Sequence, residues 1–277
     1  MDKHLVLLSG GFDSVIAILD LFNDAVDEEG IDEARKKIMG LFIRHNYRSG
    51  AREKEVAIRV AGRLGIQLIE EDGRMYDLQR GAKQHEVDMM VIGPEIAKLF
   101  GCTKILFGED VGCDRDSYEE YLRVTVPGGK ILAGADDWYK EHGYDLEYVA
   151  QFEVRRMEIL KTHLDAFVRH SLSPLWDTYS CFSIVKPNQE CGGCWKCFRK
   201  YMTCRTVMPR EAILRRYVYD PVSDKNVKKL RKLLDLAEFN PKLFDEDGYA
   251  LLDFKDMYRI AIEDSADVVD ITKAPVL

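Results

Sequence analysis

Residues 5–8, Leu-Val-Leu-Leu, form a continuous apolar run without polar alternation, the pattern of a central parallel strand buried on both faces. The run breaks at Ser9-Gly10-Gly11, and residues 14–22 then carry a mostly apolar helical pattern. The acidic stretch 24–33 is expected to be a solvated loop or a helix end. Residues 38–43 read as a second strand. Residues 51–64 recur at helical spacing, with Val56, Val60, Ala61 and Leu64 on one side. Residues 66–69 give a third strand, 87–100 another helix, and 104–107 a fourth strand ending at Gly108-Glu109-Asp110. Strands alternating with helices over about a hundred residues predict an α/β fold built on a doubly wound parallel sheet.

Beyond Asp110 the pattern is irregular, with a turn at Pro127-Gly128-Gly129. A fifth strand is expected at 152–154, followed by a helix at 156–170. From Pro209 onward the chain is charged and helical, and its basic stretch 225–232 reads as a solvated helix face. The pattern divides the chain into a domain at 1–204, with a cysteine-rich segment at 181–197, and a helical C-terminal extension at 205–277.

Composition adds limits. Of 277 residues, 46% are hydrophobic and 32% charged, a globular balance. No run approaches the ~20 apolar residues of a membrane span, and the N-terminus enters a strand at once without the pattern of a leader peptide. A cytoplasmic protein with no membrane partner is the expectation. A formal charge of −8 argues against wide, nonspecific coating of nucleic acid, though not against a local basic site for a nucleotide.

The first chemistry lies where strand one ends. Ligands of open parallel sheets bind beyond the carboxyl ends of the strands, and Leu8-Ser9-Gly10-Gly11-Phe12-Asp13-Ser14 stands at such an end, turning into a helix. Glycines let backbone N–H groups approach a ligand, and a helix N-terminus favours phosphate. Ser9 and Ser14 supply hydroxyl donors. Asp13 repels phosphate alone but would hold a Mg²⁺. The segment matches neither G-x-x-x-x-G-K-[ST] nor G-x-G-x-x-G. The competing reading is an ordinary turn in which Ser9 or Asp13 caps the helix.

Seven cysteines are unevenly spread, and five of them, Cys181, Cys191, Cys194, Cys197 and Cys204, fall within 24 residues. Cys191-Gly192-Gly193-Cys194-Trp195-Lys196-Cys197 is C-x₂-C-x₂-C, with Cys181 ten residues upstream. Four thiolates suit a structural Zn²⁺, while three close cysteines plus a distant one also suit a [4Fe–4S] cluster. Cys204, at helical distance, reads as a buried small side chain.

The loop S-G-G-F-D-S resembles the pyrophosphate-binding S-G-G-x-D-S loop of the N-type ATP pyrophosphatases, a family of adenine-nucleotide α-hydrolase-like fold. Together with C-x₉-C-x₂-C-x₂-C it resembles the 7-cyano-7-deazaguanine synthases of the queuosine pathway (the QueC family), over Leu5 to about Thr203. The resemblance implies a five-stranded sheet, ATP and Mg²⁺ at Leu8, Ser9, Gly10, Gly11, Asp13, Ser14, Phe42, Gly108 and Glu109, and zinc on Cys181, Cys191, Cys194 and Cys197. Asp13, Ser14 and Arg156 take the catalytic positions, Arg156 standing where the family has a lysine before glutamate. Thr178-Tyr179-Ser180-Cys181-Phe182 resembles the family's approach to its first zinc ligand.

The implied reaction is adenylation of 7-carboxy-7-deazaguanine by ATP, releasing pyrophosphate. Ammonia then displaces AMP to give an amide, and a second adenylation leads to the nitrile. A homodimer is the family's tendency, without a stable nucleic-acid partner. Phe42-Ile43-Arg44-His45-Asn46-Tyr47-Arg48 departs from the family's F-D-Y-G-Q-R-H, and no P-G-R-N precedes the third helix. Two further readings therefore stand. One is a QueC-like antiphage enzyme that conjugates the adenylated deazaguanine to a protein amine. The other is a tRNA sulfur-transfer enzyme with the same loop, needing a reactive cysteine such as Cys113 or an iron–sulfur cluster. A non-enzymatic nucleotide-binding scaffold is disfavoured by the intact Ser9, Asp13 and Ser14.

Overall fold

A computed structural model describes residues 2–45, 50–73, 92–107, 139–150, 156–181, 183, 189–239 and 249–266. The first strand, β1 (His4–Leu7), is followed by α1 (Phe12–Glu29), α2 (Ile31–Lys37), β2 (Ile38–Arg44), α3 (Gly50–Leu64) and β3 (Gln67–Asp72). Then come α4 (Gly93–Phe100), β4 (Lys104–Phe107) and β5 (Glu147–Ala150). All pairings are parallel, in the order β3-β2-β1-β4-β5. The chain fills one side of β1 first, then crosses to the other. The order therefore reverses between β1 and β4, and the carboxyl end of β1 lies at a switch point.

Helices cover both faces, which is what a continuous apolar strand such as β1 requires. On one face Leu5, Met39, Leu41, Ile43 and Ile105 pack with Ile92, Ala97 and Cys102 around α4. On the other, Gly40 sits between the side chains of Leu8 and Leu68, beneath α1 and α3. Phe12, Val15, Ile16, Ala17, Ile18, Leu19 and Phe22 of α1 are buried. The helical run is longer than 14–22, because the acidic turns continue it on the solvent side until Gly30, at φ +91°, ends it. The strand expected at 152–154 lies outside the described residues, and the fifth strand is Glu147–Ala150. Of the helix expected at 87–100, the described part is α4.

The described residues fall into two compact units: those up to Tyr179 apart from 156–162, and 156–162 together with those from Ser180 onward. Helix α5 (Arg156–Arg169) contributes to both. The second unit carries α6 (Trp195–Arg205), α7 (Arg210–Leu214), α8 (Asp224–Phe239) and α9 (Tyr249–Ala266). Helix α9 is fastened to α6 by Asp264, whose carboxylate accepts from Tyr201 and from Arg205 Nη2 at 2.9 Å. Asp253, on the same helix and buried, accepts from the Met157 backbone N–H at the start of α5, at 3.3 Å. No described helix is long and apolar enough to cross a membrane.

Candidate functional site

Among the described residues two groupings carry chemistry, one in each unit, and each follows from its local chain. In the first, the chain leaves β1 at Leu8, whose N–H donates to Leu41 O at 2.8 Å and holds it beside β2 for one residue more. Gly10 then turns at φ +74°, where an L side chain is disfavoured. A Cβ there would lie 2.4 Å from Glu53 O of α3, so the close passage of the loop across that helix is open to glycine alone. Ser9 Oγ lies 3.0 Å from Ser14 Oγ and accepts from Gly11 N–H at 3.3 Å. Ser14 Oγ donates to Gly11 O at 3.1 Å. The loop thus closes on itself with two hydroxyls and a backbone donor converging.

Gly11 is the N-cap of α1, and among the described residues it makes no side-chain cap hydrogen bond. The capping reading of Ser9 or Asp13 is therefore replaced: Ser9 bonds within the loop, and Asp13 stands in the first helical turn. The N-terminus of the helix presents its positive end toward the loop. Phe42 is buried in β2, with Arg44 exposed at that strand's end and the His45 ring beside Gly73. Gly108 and Glu109, and with them Asp110 and Cys113, lie outside the described residues.

Arg156 falls in the second unit. It is buried, and its Nε donates to Thr203 Oγ1 of α6 at 3.2 Å. His163 and His170 have structural partners in the first unit: His163 Nδ1 meets Asp20 Oδ1 at 3.0 Å, and His170 Nε2 meets Asn23 Oδ1 at 2.8 Å.

The second grouping is the cysteine cluster. The sulfurs of Cys181, Cys191, Cys194 and Cys197 all lie within 4.8 Å of one another. Cys191 and Cys197 are 3.8 Å apart, Cys194 and Cys197 3.4 Å. Cys194 is the N-cap of α6, its sulfur accepting from the Cys197 N–H at 3.5 Å. Cys181 Sγ accepts from the N–H groups of Cys191 and Ser183, each at 3.3 Å. Thiolates are favoured by such donors and by a helix N-terminus. Hydrogen bonds from Cys181 and Cys197 pull the Cys194 thiol down to about 2, while the contact with Cys194 pushes Cys181 up to about 12. Four thiols at this spacing compete for protons that one cation would displace. Cys204 is buried and outside the set.

Sequence reasoning missed what supports this cluster. Gly192, at φ +78°, passes so close to Tyr219 that a Cβ would lie 1.8 Å from its carbonyl oxygen. Backbone bonds hold the segment there: Val218 N–H to Glu190 O at 2.9 Å and Tyr219 N–H to Cys191 O at 3.0 Å. Glu190, with no exposed surface, accepts from Lys200 Nζ at 2.6 Å and from Arg216 Nη2 at 3.3 Å. Its second oxygen is 3.7 Å from Cys197 Sγ. Burial pushes the Lys200 amine down, and the Glu190 carboxylate opposes that shift. Lys200, one turn beyond Cys197 on α6, was the only available signal, and an isolated lysine in a helix is not diagnostic.

No family model matches the chain, and no curated protein matches it. Among solved structures it is similar to the U34-tRNA thiolase NcsA from Methanococcus maripaludis with its [4Fe-4S] cluster. The identity is 12%, covering 97% of this chain and 73% of that one, with a TM-score of 0.42. It is also similar to the NH3-dependent NAD synthetase from Campylobacter jejuni subsp. jejuni NCTC 11168 in complex with the nitrate ion. There the identity is 11%, with 99% and 89% of the two chains covered and a TM-score of 0.33.

Proposed function

We propose that this protein is an ATP-dependent enzyme that cleaves ATP between the α- and β-phosphates and adenylates a carboxylate, 7-carboxy-7-deazaguanine being the substrate assigned. The observation that carries the reading is the loop itself. Ser9 and Ser14 hydroxyls converge 3.0 Å apart at the carboxyl end of β1, beside the N-terminus of α1. That arrangement offers donors and positive potential to a polyanion.

The chemistry follows from the substrate. A carboxylate is a poor electrophile, and adenylation gives it a good leaving group. Its oxygen attacks the α-phosphorus, the bond to the β-phosphate bridging oxygen breaks, and pyrophosphate departs with the electron pair. Negative charge accumulates on pyrophosphate as the bond breaks, so donors fixed around the β- and γ-phosphates favour the transition state over the ground state. A bound phosphate would draw its donors from Ser9, Gly11 and Ser14, replacing the bonds they make to one another in the loop. Asp13 would hold Mg²⁺, which neutralises triphosphate charge when bound. Ammonia then adds to the acyl-adenylate carbonyl and AMP leaves, giving the amide; a second adenylation and loss of AMP give the nitrile.

The cysteine cluster is assigned to a structural Zn²⁺. With Zn–S near ~2.3 Å, the sulfurs of a tetrahedral site stand ~3.8 Å apart, close to the 3.8 and 3.4 Å of two pairs in a set that lies within 4.8 Å. A cuboidal iron–sulfur cluster, with each thiolate on a different iron, spreads its ligands wider. The ion would tie Cys181 to the 191–197 segment and contribute folding energy.

The test is to incubate the full chain with ATP, Mg²⁺ and 7-carboxy-7-deazaguanine, with and without ammonium, and follow pyrophosphate, AMP and the base by mass spectrometry. The reading expects pyrophosphate in both arms and amide or nitrile only with ammonium. Pyrophosphate without an ammonia product, but with the base attached to an added protein amine, would transfer the assignment to conjugation. Absence of pyrophosphate in every arm would refute the adenylation.

A further inference from the structure

The phosphate loop is held from outside by a segment far away in the chain. Tyr179 donates its backbone N–H to Gly10 O at 2.8 Å. In a trans peptide the carbonyl and the N–H of the same unit point in opposite directions. Turning Gly10 O toward Tyr179 therefore turns Gly11 N–H inward, where it meets Ser9 Oγ at 3.3 Å beside Ser14 Oγ. The outward bond fixes the aim of an inward donor. With glycine on both sides, that peptide is otherwise among the easiest in the chain to flip.

What places Tyr179 is a compact turn organised by Asp177. One carboxylate oxygen accepts from Ser173 N–H at 2.7 Å, and the Asp177 N–H donates to Ser173 O at 2.8 Å. Thr178 Oγ1 donates to Pro174 O at 2.6 Å, holding the next residue in line. The other Asp177 oxygen accepts from Arg59 Nη1 of α3 at 2.8 Å. The same helix brings Glu53 O against Gly10. Helix α3 thus touches the loop through one residue and the turn through another.

We propose that Asp177 is a positioning residue for the phosphate loop. Braced by Arg59 and Ser173, it holds the turn so that Tyr179 N–H keeps the Gly10–Gly11 peptide aimed at the β- and γ-phosphates of ATP. This inference rests on the reading of that loop as an ATP site. It separates from a merely structural role because the effect is confined to ligands that carry the terminal phosphates. AMP lacks them and is indifferent to the aim of Gly11 N–H.

The experiment titrates the full chain with Mg²⁺-ATP and, separately, with AMP by calorimetry, and melts each variant. Asp177→Ala is expected to weaken ATP about tenfold, the loss of roughly one well-aimed hydrogen bond to a charged group, with AMP affinity unchanged. Asp177→Asn, which keeps an acceptor for Ser173 N–H, is expected to recover most of that loss. Arg59→Met removes only a half-exposed guanidinium and is expected to change ATP affinity in the same direction by a smaller factor. Should Asp177→Ala fail to fold, Arg59→Met and Asp177→Asn carry the test, and ATP affinities equal to wild type in both overturn the proposal. Equal ATP affinity in wild type and Asp177→Ala also overturns it. So does a parallel loss of ATP and AMP affinity with a lowered melting temperature, the mark of a structural role. If wild type binds no ATP, the functional reading itself fails and this inference falls with it.

Discussion

Replacing Gly10 by alanine probes the loop through a single methyl group. Two costs are separable. The backbone at φ +74° is left-handed, which an L residue tolerates at roughly 1–2 kcal/mol. The new Cβ would also lie 2.4 Å from Glu53 O and 3.1 Å from Glu53 C, where side-chain carbons keep at least 3.0 Å from such atoms. The obstacle is helix backbone rather than a flexible side-chain tip, so the loop or α3 must shift, at a further cost of about 1–3 kcal/mol typical of overpacking. Gly101 supplies the control. It has a similar φ of +66°, but nothing lies within 4 Å of its Cβ position, so Gly101→Ala carries the backbone cost alone. Thermal melts followed by circular dichroism should place Gly10→Ala several degrees below Gly101→Ala, since about 1 kcal/mol moves a domain of this size by roughly 2–4 °C. Calorimetry should show ATP binding lost in Gly10→Ala and retained in Gly101→Ala. Equal melting of the two variants, with ATP affinity intact in both, would refute the close passage of the loop over α3 and the role assigned to it.

Other consequences concern the cysteine cluster and the buried charges. Cys194→Ser should lose bound zinc by elemental analysis and melt lower, as should the wild type after chelation; unchanged melting would refute a structural ion. Lys200→Met leaves the buried Glu190 carboxylate with Arg216 still on it, so the loss should stay below the about 3–5 kcal/mol of an uncompensated buried charge. Denaturant titration should show that loss and a partial recovery in Lys200→Met with Glu190→Gln. Stability should also depend on pH through His170, whose pKa is lowered from 6.5 by burial and then by Arg169. Because the unfolded chain takes up the proton first, the stabilisation is present above 6.5 and lost as pH falls below it through the folded value. Melting temperatures between pH 7.5 and 5.5 should fall, and fall less steeply in His170→Gln.

What the sequence disclosed and what it hid follow from the range of the interactions. The apolar runs of β1 and β2 and the helical spacing of α3 are local signals, and the structure has those elements. The Ser-Gly-Gly-Phe-Asp-Ser loop and the cysteine spacing are likewise written within a few residues. Strand β5 was not legible, because four residues at an edge carry little pattern and open on an exposed Glu147. The partners of the site were hidden for another reason. Tyr179 serves the loop through its backbone N–H, which any residue but proline would supply. Glu190, Lys200 and Arg216 form one buried charge cluster only because a bridge pairs Glu190 with Tyr217, a register that no local pattern encodes. Arg156, chosen by its place in a motif, is buried and donates to Thr203, a contact across 47 residues that no local pattern encodes.

The bond cleaved in ATP tests the central claim most directly. Phosphorus NMR of the full chain with ATP, Mg²⁺, 7-carboxy-7-deazaguanine and ammonium should show AMP and pyrophosphate accumulating in equal amounts, and neither in Asp13→Ala, whose circular dichroism stays that of wild type. ADP and inorganic phosphate from the wild type, or an unchanged rate in Asp13→Ala, would contradict it.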